Sequence, residues 1–186
     1  MIGQLSILVW RRLRLAVAIA AFLPAMQAMS AHAAVGDSPS VNGTWNLADP
    51  KADEKDRQSA IERAIENVPR LARAQASKTL LNATKPASKL RVEDRGDSLM
   101  LAEQKQQFNL VLGAKPIEVT TEDGKVLLSC ERKNQLLVVT AKSSKATRTT
   151  VYRPSSDGKT LVLDVALEIA QLQTTTRYNV TYTLLP

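Results

Sequence analysis

From Ser88 to the end of the chain, apolar residues recur at every second position. The pattern is seen in Leu90/Val92, Leu99/Leu101, Phe108/Leu110/Leu112, Ile117/Val119, Val126/Leu128, Val138/Thr140, Thr149/Val151, Leu161/Leu163/Val165/Leu167 and Tyr178/Val180/Tyr182/Leu184. Turn residues such as Asp123-Gly124 and Asp157-Gly158 separate these runs. Because successive side chains of a strand point to opposite faces, this period predicts strands with one buried face. Tight turns between them predict an antiparallel meander.

A further short strand is predicted over Gly43–Ala48, which brings the meander to about eight to ten strands. A long run of consecutive hairpins leaves exposed edges unless the sheet closes on itself. The sequence therefore predicts an all-β class, with one domain over residues 42–186 that forms a barrel or a strongly curled sheet.

Residues 53–83 interrupt the β pattern with helical spacing. Asp53, Glu54 and Asp56 place negative charge at the start of a helix, where the helix dipole favours it. The apolar residues that follow, Ile61, Ala64, Ile65 and Val68, lie on one helical face. Pro69 is suited to the first position of a second helix, which we expect to end near Asn82. A two-helix insert is thus predicted after the first strand.

Residues 1–33 have the pattern of a bacterial-type secretory signal peptide. Three arginines, Arg11, Arg12 and Arg14, precede the apolar run Leu15–Leu23, and Ala31-His32-Ala33 offers small residues for cleavage. The alternative, an uncleaved anchor, is disfavoured because a spanning helix needs about 20 apolar residues. We expect cleavage, a periplasmic location and a flexible tail over residues 34–41; the paired arginines leave the export route open.

The residue types needed for most catalytic sites are scarce. The only histidine is His32, within the predicted leader, and the only cysteine is Cys130, on a predicted apolar face. No glycine-rich phosphate loop, zinc spacing or calcium loop is present. We therefore expect a non-enzyme with no metal, no cofactor and no nucleic-acid partner. An enzyme that acts through carboxylates such as Asp164 and Glu168 is the remaining catalytic alternative, and it would need two acids that converge in a cleft.

Several motifs together resemble the calycin group, the lipocalins and fatty-acid-binding proteins. Gly43-Thr44-Trp45 matches their G-x-W motif in the first strand, and two predicted helices follow it, as in the fatty-acid-binding proteins. The carboxy-terminal half adds Leu112-Gly113, Asp123-Gly124-Lys125, Asp157-Gly158-Lys159 and Thr176-Arg177-Tyr178. The resemblance spans roughly residues 42–186 and implies a β-barrel that binds a small hydrophobic or amphipathic ligand, with the helices at its mouth.

The ligand-lining residues predicted for such a barrel are Phe108, Tyr152, Tyr178, Tyr182 and Arg177. In the fatty-acid-binding proteins an Arg-x-Tyr pair holds the ligand carboxylate, whereas here Arg177 and Tyr178 are adjacent, and adjacent strand residues face opposite sides. The resemblance also implies that Trp45 closes one barrel end against Arg177 or Arg153. The alternative for Trp45 is a core aromatic whose indole N–H binds a backbone carbonyl.

A second interpretation of the chain rests on the basic residues of the predicted helices. Arg70, Arg73 and Lys78 form a basic face that could contact a membrane surface or an envelope protein. This would make the protein an envelope-associated interaction or structural module.

Overall fold

A computed structural model describes residues 39–103, 106–121, 124–170, 172 and 174–186. The predicted leader and all but the last three residues of the predicted tail lie outside this range. The elements are β1 Gly43–Leu47, α1 Pro50–Ala64, α2 Arg70–Ala83, β2 Lys89–Asp94, β3 Ser98–Glu103, β4 Gln106–Val111, β5 Ile117–Thr121, β6 Gly124–Lys133, β7 Leu136–Lys142, β8 Ala146–Pro154, β9 Thr160–Ile169 and β10 Thr174–Leu184.

The ten strands form one antiparallel sheet in the order β4-β3-β2-β1-β10-β9-β8-β7-β6-β5. Pairing of β1 with β10 joins the first and last strands and curls the sheet into a nearly closed barrel. Only β4 and β5 lack a ladder between them in the described sheet; there the Gly113 N–H donates to the Cys130 carbonyl at 2.9 Å and links the end of β4 to β6. The predicted all-β fold with two helices after the first strand is confirmed.

Most strands turn alternate residues into the barrel, as the period-two pattern predicts, although β3 and β7 each bury three consecutive residues. The predicted inner faces of β7 and β8 are wrong, however. The register pairs Leu137 with Tyr152, Val139 with Thr150 and Ala141 with Arg148, and these residues share the inner face. The outer faces consequently carry Val138 and Thr140 of β7 and Thr149 and Val151 of β8. The sequence is ambiguous here because apolar residues occupy neighbouring positions in both strands.

Helix α1 begins at Pro50 rather than at residue 53, because Asp49 caps it. The Asp49 carboxylate accepts hydrogen bonds from the N–H groups of Lys51 and Ala52, both at 3.0 Å. The buried residues of α1 are Asp53, Arg57, Ala60 and Ile61, which recur at helical spacing on one face. Helix α2 buries none of its residues.

Helix α1 packs against β10 at one end of the barrel, which we call the helical end. The Thr176 hydroxyl donates to the Ala60 carbonyl at 2.9 Å, and the Tyr182 hydroxyl donates to the Ala87 carbonyl at 2.9 Å. These bonds tie the insert to the strand that closes the barrel. Strand β3 ends and strand β8 begins at the helical end, so Glu103 and Arg148 lie near it.

The opposite end, which we call the closed end, is covered by the segment before β1. The Trp45 indole N–H donates to the Val41 carbonyl at 3.0 Å, and Val41 is itself buried. Arg132 also bridges from β6 to Asp94 of β2 with N–O distances of 2.9 and 2.8 Å. Inner residues near this end, such as Leu99, Leu137 and Leu161, are at most 1% exposed. These side chains fill the interior near this end, and a cleft of about 320 Å³ lies at its rim, lined by residues that include Val41, Asp94, Arg132, Leu137 and Tyr152.

Candidate ligand-binding site

Arg148 lies inside the barrel, two positions into β8, opposite Ala141 of β7 and Leu167 of β9. Its Nε is buried and has no hydrogen-bond partner, and we find no ion pair for its guanidinium within the described part of the chain. The local sequence explains the position: Arg148, Thr150 and Tyr152 alternate along β8, so the strand that buries Tyr152 also turns Arg148 inwards. A buried guanidinium nitrogen that has lost water without gaining a hydrogen-bond partner is costly.

Three tyrosines and one carboxylate lie within electrostatic reach of the Arg148 guanidinium. Burial lowers the pKa of Arg148, but Tyr178, Glu103, Tyr152 and Tyr182 outweigh it, and the net effect raises this pKa. Burial raises the pKa of Tyr152 and Tyr182 well above that of a free tyrosine. At neutral pH the site therefore contains a charged guanidinium and neutral hydroxyl groups.

Tyr178 also has an unsatisfied hydroxyl oxygen. Its side chain is 5% exposed, and no hydrogen bond of acceptable geometry reaches the oxygen. The Thr84 hydroxyl lies nearby, but it donates to the Leu80 carbonyl at 2.7 Å. Burial raises the pKa of Tyr178, and the positive charges of Arg148 and Arg57 partly oppose this rise. Tyr178 is thus within electrostatic reach of a guanidinium from the barrel wall and of one from helix α1.

Helix α1 contributes two further polar side chains with unsatisfied atoms. Arg57 donates through Nη1 to the Leu81 carbonyl of α2 at 3.0 Å, while its buried Nε has no partner. Asp53, one turn earlier, leaves its buried Oδ2 without a partner. Burial raises the pKa of Asp53, and the Thr181 backbone N–H partly offsets this. We call Asp53, Arg57, Glu103, Arg148 and Tyr178 the polar site.

An apolar wall lies beside the polar site on the β4–β7 side of the barrel. Phe108, Val119, Val126 and Ala141 pack against the core but remain only partly buried, in contrast to the closed-end residues. The partly buried apolar residues of the inner face therefore lie in the helical-end half, next to the edges of β4 and β5 that do not pair with each other.

The structure brings four of the predicted lining residues together inside the barrel. Tyr152, Tyr178 and Tyr182 are buried on the inner face, and Phe108 forms part of the apolar wall. Arg177 is not among them: it lies exposed on the outer face of β10, as its position next to Tyr178 requires. Sequence reasoning missed Arg148, Arg57 and Asp53. The signal for Arg148 was its spacing in β8: it lies two residues before Thr150 and four before Tyr152, and therefore on the same face as both.

Trp45 is fully buried, and its indole N–H bond to Val41 corresponds to the core interpretation. Of the two arginines that the resemblance implied as its partner, Arg177 is exposed on the outer face of β10. Arg153 pairs with Asp164 on the outer face, with an Nε–O distance of 3.1 Å.

The predicted basic face lies on α2, and its residues Arg70, Arg73 and Lys78 are exposed. Arg73 donates to the carbonyls of Val68 and Glu66 at 2.8 and 2.6 Å and so holds the turn between the helices. Leu71, between the two arginines, is 100% exposed. Neither helix among the described residues is long and apolar enough to cross a membrane.

No cluster of metal-ligating side chains is found among the described residues. Cys130 is buried on the inner face, and burial raises the pKa of its thiol. The two acids of the catalytic alternative lie outside the barrel, with Asp164 bound to Arg153 and Glu168 exposed.

Comparison with known proteins identifies the fold and no closer relationship. No family model matches the chain, and no curated protein matches it either. Among solved structures, the barrel is similar to an abundant heat soluble (SAHS) protein of Ramazzottius varieornatus, with a TM-score of 0.51 and 11% identity over 78% of this chain and 95% of that one. Human cRBP IV has a TM-score of 0.48 at 17% identity over 78% of this chain and 98% of its own.

A third structure, fatty-acid-binding protein 1 of Echinococcus granulosus, has a TM-score of 0.46 and 15% identity over 78% of this chain and 98% of that one. All are calycin-fold proteins. The chain has a calycin-like β-barrel fold. The resemblance drawn from G-x-W and the two-helix insert is confirmed at the level of the fold.

Proposed function

We propose that the protein binds a small amphipathic ligand in the helical-end half of its barrel, with an anionic group of the ligand held by Arg148. The observation that carries this proposal is the buried, unpartnered Nε of Arg148 inside the sheet. An oxyanion would accept a charge-assisted hydrogen bond from this nitrogen and compensate the enclosed charge. The neutral Tyr178 hydroxyl is placed to act as a second donor.

The apolar part of the ligand is expected to lie along Phe108, Val119, Val126 and Ala141. These residues supply partly exposed apolar surface beside a polar group, which is the combination found in small-molecule sites. The closed-end half is already filled, so a tail is accommodated mainly in the helical-end half.

We further propose that the protein is exported to the periplasm and is not an enzyme. The supporting observation for export is the leader pattern of residues 1–33. For a non-catalytic role, the support is the scarcity of nucleophile and base pairs: Cys130 is buried, and Asp164 and Glu168 do not form a cleft.

Displacement of a fluorescent fatty acid by dodecanoate tests the proposed site. We expect Arg148→Gln to weaken dodecanoate binding at least tenfold, because one charge-assisted hydrogen bond is removed. Arg177→Gln is the matched control, since it removes the same charge from the outer face of β10. Equal affinity of wild type and Arg148→Gln would contradict the proposal.

A second candidate function is contact of helix α2 with an anionic membrane surface. The observation that favours it is the full exposure of Leu71 next to Arg70 on a helix that buries no residue. Sedimentation with phosphatidylglycerol vesicles should decrease for Leu71→Ser and at high salt. Equal sedimentation of wild type and variant would exclude this function for α2.

A further inference from the structure

We infer that helix α1 forms part of the ligand site, and that the ligand head carries a hydrogen-bond donor group as well as an anion. This rests on the proposed binding function and specifies the head group. Four buried polar atoms without partners carry it: the Nε atoms of Arg57 and Arg148, the hydroxyl oxygen of Tyr178 and Oδ2 of Asp53.

The unsatisfied atoms belong to one connected group of side chains. Tyr178 is within electrostatic reach of both Arg57 and Arg148, and Asp53 is within reach of Arg57 and Tyr182. Asp53, Arg57 and Tyr178 are 8%, 5% and 5% exposed, so bulk water does not satisfy them. Three separate elements, α1, β8 and β10, thus direct polar groups to one region at the helical end.

The chemistry of these atoms specifies what the head group must present. The two Nε–H groups and the Tyr178 hydroxyl are donors, which require an anionic acceptor, whereas Asp53 Oδ2 is an acceptor, which requires a donor. The charges agree with this division, because Arg57 and Arg148 are balanced by Asp53 and Glu103. A zwitterionic head, such as a phosphate linked to a primary ammonium, satisfies both sets. A simple carboxylate satisfies only the donors.

Two matched amphiphiles test the inference: dodecylphosphoethanolamine, whose ammonium donates three hydrogen bonds, and dodecylphosphocholine, whose methylated ammonium donates none. We expect the ethanolamine compound to bind at least tenfold more tightly in calorimetric titrations. Asp53→Asn, which removes the carboxylate charge, should reduce this preference to less than threefold. Asp56→Asn, an exposed acid on the same helix, should preserve it.

A second pair of variants tests the arginine on the helix. Arg57→Gln should weaken binding of both compounds about tenfold, and the exposed Arg63→Gln should leave it unchanged. Because Arg57 also binds the Leu81 carbonyl, Arg57→Lys serves as a variant that retains charge and a donor, and it should recover part of the affinity.

The outcomes separate the inference from the function on which it rests. Dodecanoate binding that depends on Arg148, with equal affinities for the two phosphate compounds, would overturn the inference and leave the proposed function intact. Equal binding by wild type and Arg57→Gln would also overturn it. Loss of the proposed function would instead appear as dodecanoate binding that is unaffected by Arg148→Gln.

Discussion

At the scale of single residues, Arg148 is the feature that least resembles an ordinary barrel core. Every inner-face neighbour in its register row, Ala141, Leu167 and Thr176, is small, apolar or hydrogen-bonded. A guanidinium placed among them without a partner destabilises the ligand-free protein, since a buried polar group that loses water must be compensated. If such a residue contacts the ligand, its replacement by an apolar residue should raise the stability of the ligand-free protein and remove ligand binding.

Arg148→Met should therefore stabilise the ligand-free protein while it abolishes binding of an anionic ligand. We expect the free energy of unfolding to rise by about 1–3 kcal/mol, which is the cost of an unsatisfied buried polar group. Urea denaturation of ligand-free wild type and variant measures this change in the free energy of unfolding. A decrease in stability would show that Arg148 has structural partners, and it would contradict the proposal that Arg148 is kept in the barrel to bind an anionic ligand.

Asp53 gives a prediction about pH. Burial raises its pKa in the folded protein above the ordinary aspartate value of 3.8, so folding favours the protonated carboxyl. As pH rises from about 4, the unfolded chain loses this proton first, and the folded state loses stability relative to it. Asp53→Asn removes the effect and should be more stable than wild type at pH 7.

Unfolding free energies measured at pH 4 and pH 7 check the predicted direction of this pH dependence. The advantage of Asp53→Asn should shrink as the pH falls towards 4, because the folded wild type regains its proton at a higher pH than the unfolded chain does. The exposed Asp56→Asn is the control, for which no such trend is expected. An advantage that grows at acid pH would contradict a raised pKa for Asp53.

At the scale of elements, the two helices differ in how they are attached. Helix α1 buries Ala60 and Ile61, and the Ala60 carbonyl is bonded to Thr176 of β10. Helix α2 buries no residue and is joined to α1 by the Arg57–Leu81 bond and the Arg73 bonds to the interhelical turn. Amphipathic helices owe most of their stability to tertiary packing, so α1 should be the firmer of the two.

A pair of substitutions measures this difference. Ile61→Ala should cost about 2–5 kcal/mol of unfolding free energy, because Ile61 is fully buried. Leu71→Ser should change it by less than about 0.5 kcal/mol, because Leu71 is fully exposed. Similar costs for the two, measured by chemical denaturation, would show that α2 packs against the barrel.

The sequence predicts elements better than it predicts the site. The apolar stripe of α1 and the turn residues are local signals, and they locate the insert and most strands. The faces of β7 and β8 were predicted wrongly because Val138 and Val139, or Val151 and Tyr152, are adjacent apolar residues. In such strands only the pairing with both neighbours decides which face is inside.

That error explains why Arg148 was missed, whereas Arg57 was missed for a different reason. Arg148 shares a face with Tyr152, but the opposite face of β8 carries Val151 and looked equally suited to the core. Arg57 follows three acidic residues and reads as part of a solvated helix surface. Its burial depends on where α1 docks, which is a long-range property of the barrel and is not encoded in local spacing.

At the scale of the whole molecule, closure through β1 and β10 creates an interior with two unlike halves. The closed-end half is filled by residues such as Leu99, Leu110 and Leu137, which are at most 2% exposed. The helical-end half holds the polar site and the partly buried apolar wall. This division predicts a limit on ligand length.

Affinity for a series of alkyl carboxylates should rise by about 0.8 kcal/mol per methylene and then stop rising once the tail reaches the filled layer. Leu137→Ala opens space in that layer, and the length at which affinity stops rising should increase, at a cost of about 2–5 kcal/mol in stability. Calorimetric titration with chains of six to sixteen carbons gives both curves. An unbroken rise in wild type would show that the closed-end half admits the tail.

The most direct test of the central claim is nuclear magnetic resonance of the arginine Nε–H groups. The Arg148 signal, assigned by its absence in Arg148→Gln, should shift on addition of dodecanoate as the unpartnered donor gains an oxyanion, while the Arg177 signal stays in place. An Arg148 signal that does not move at saturating ligand would contradict the account, because it would place the anionic group outside the barrel.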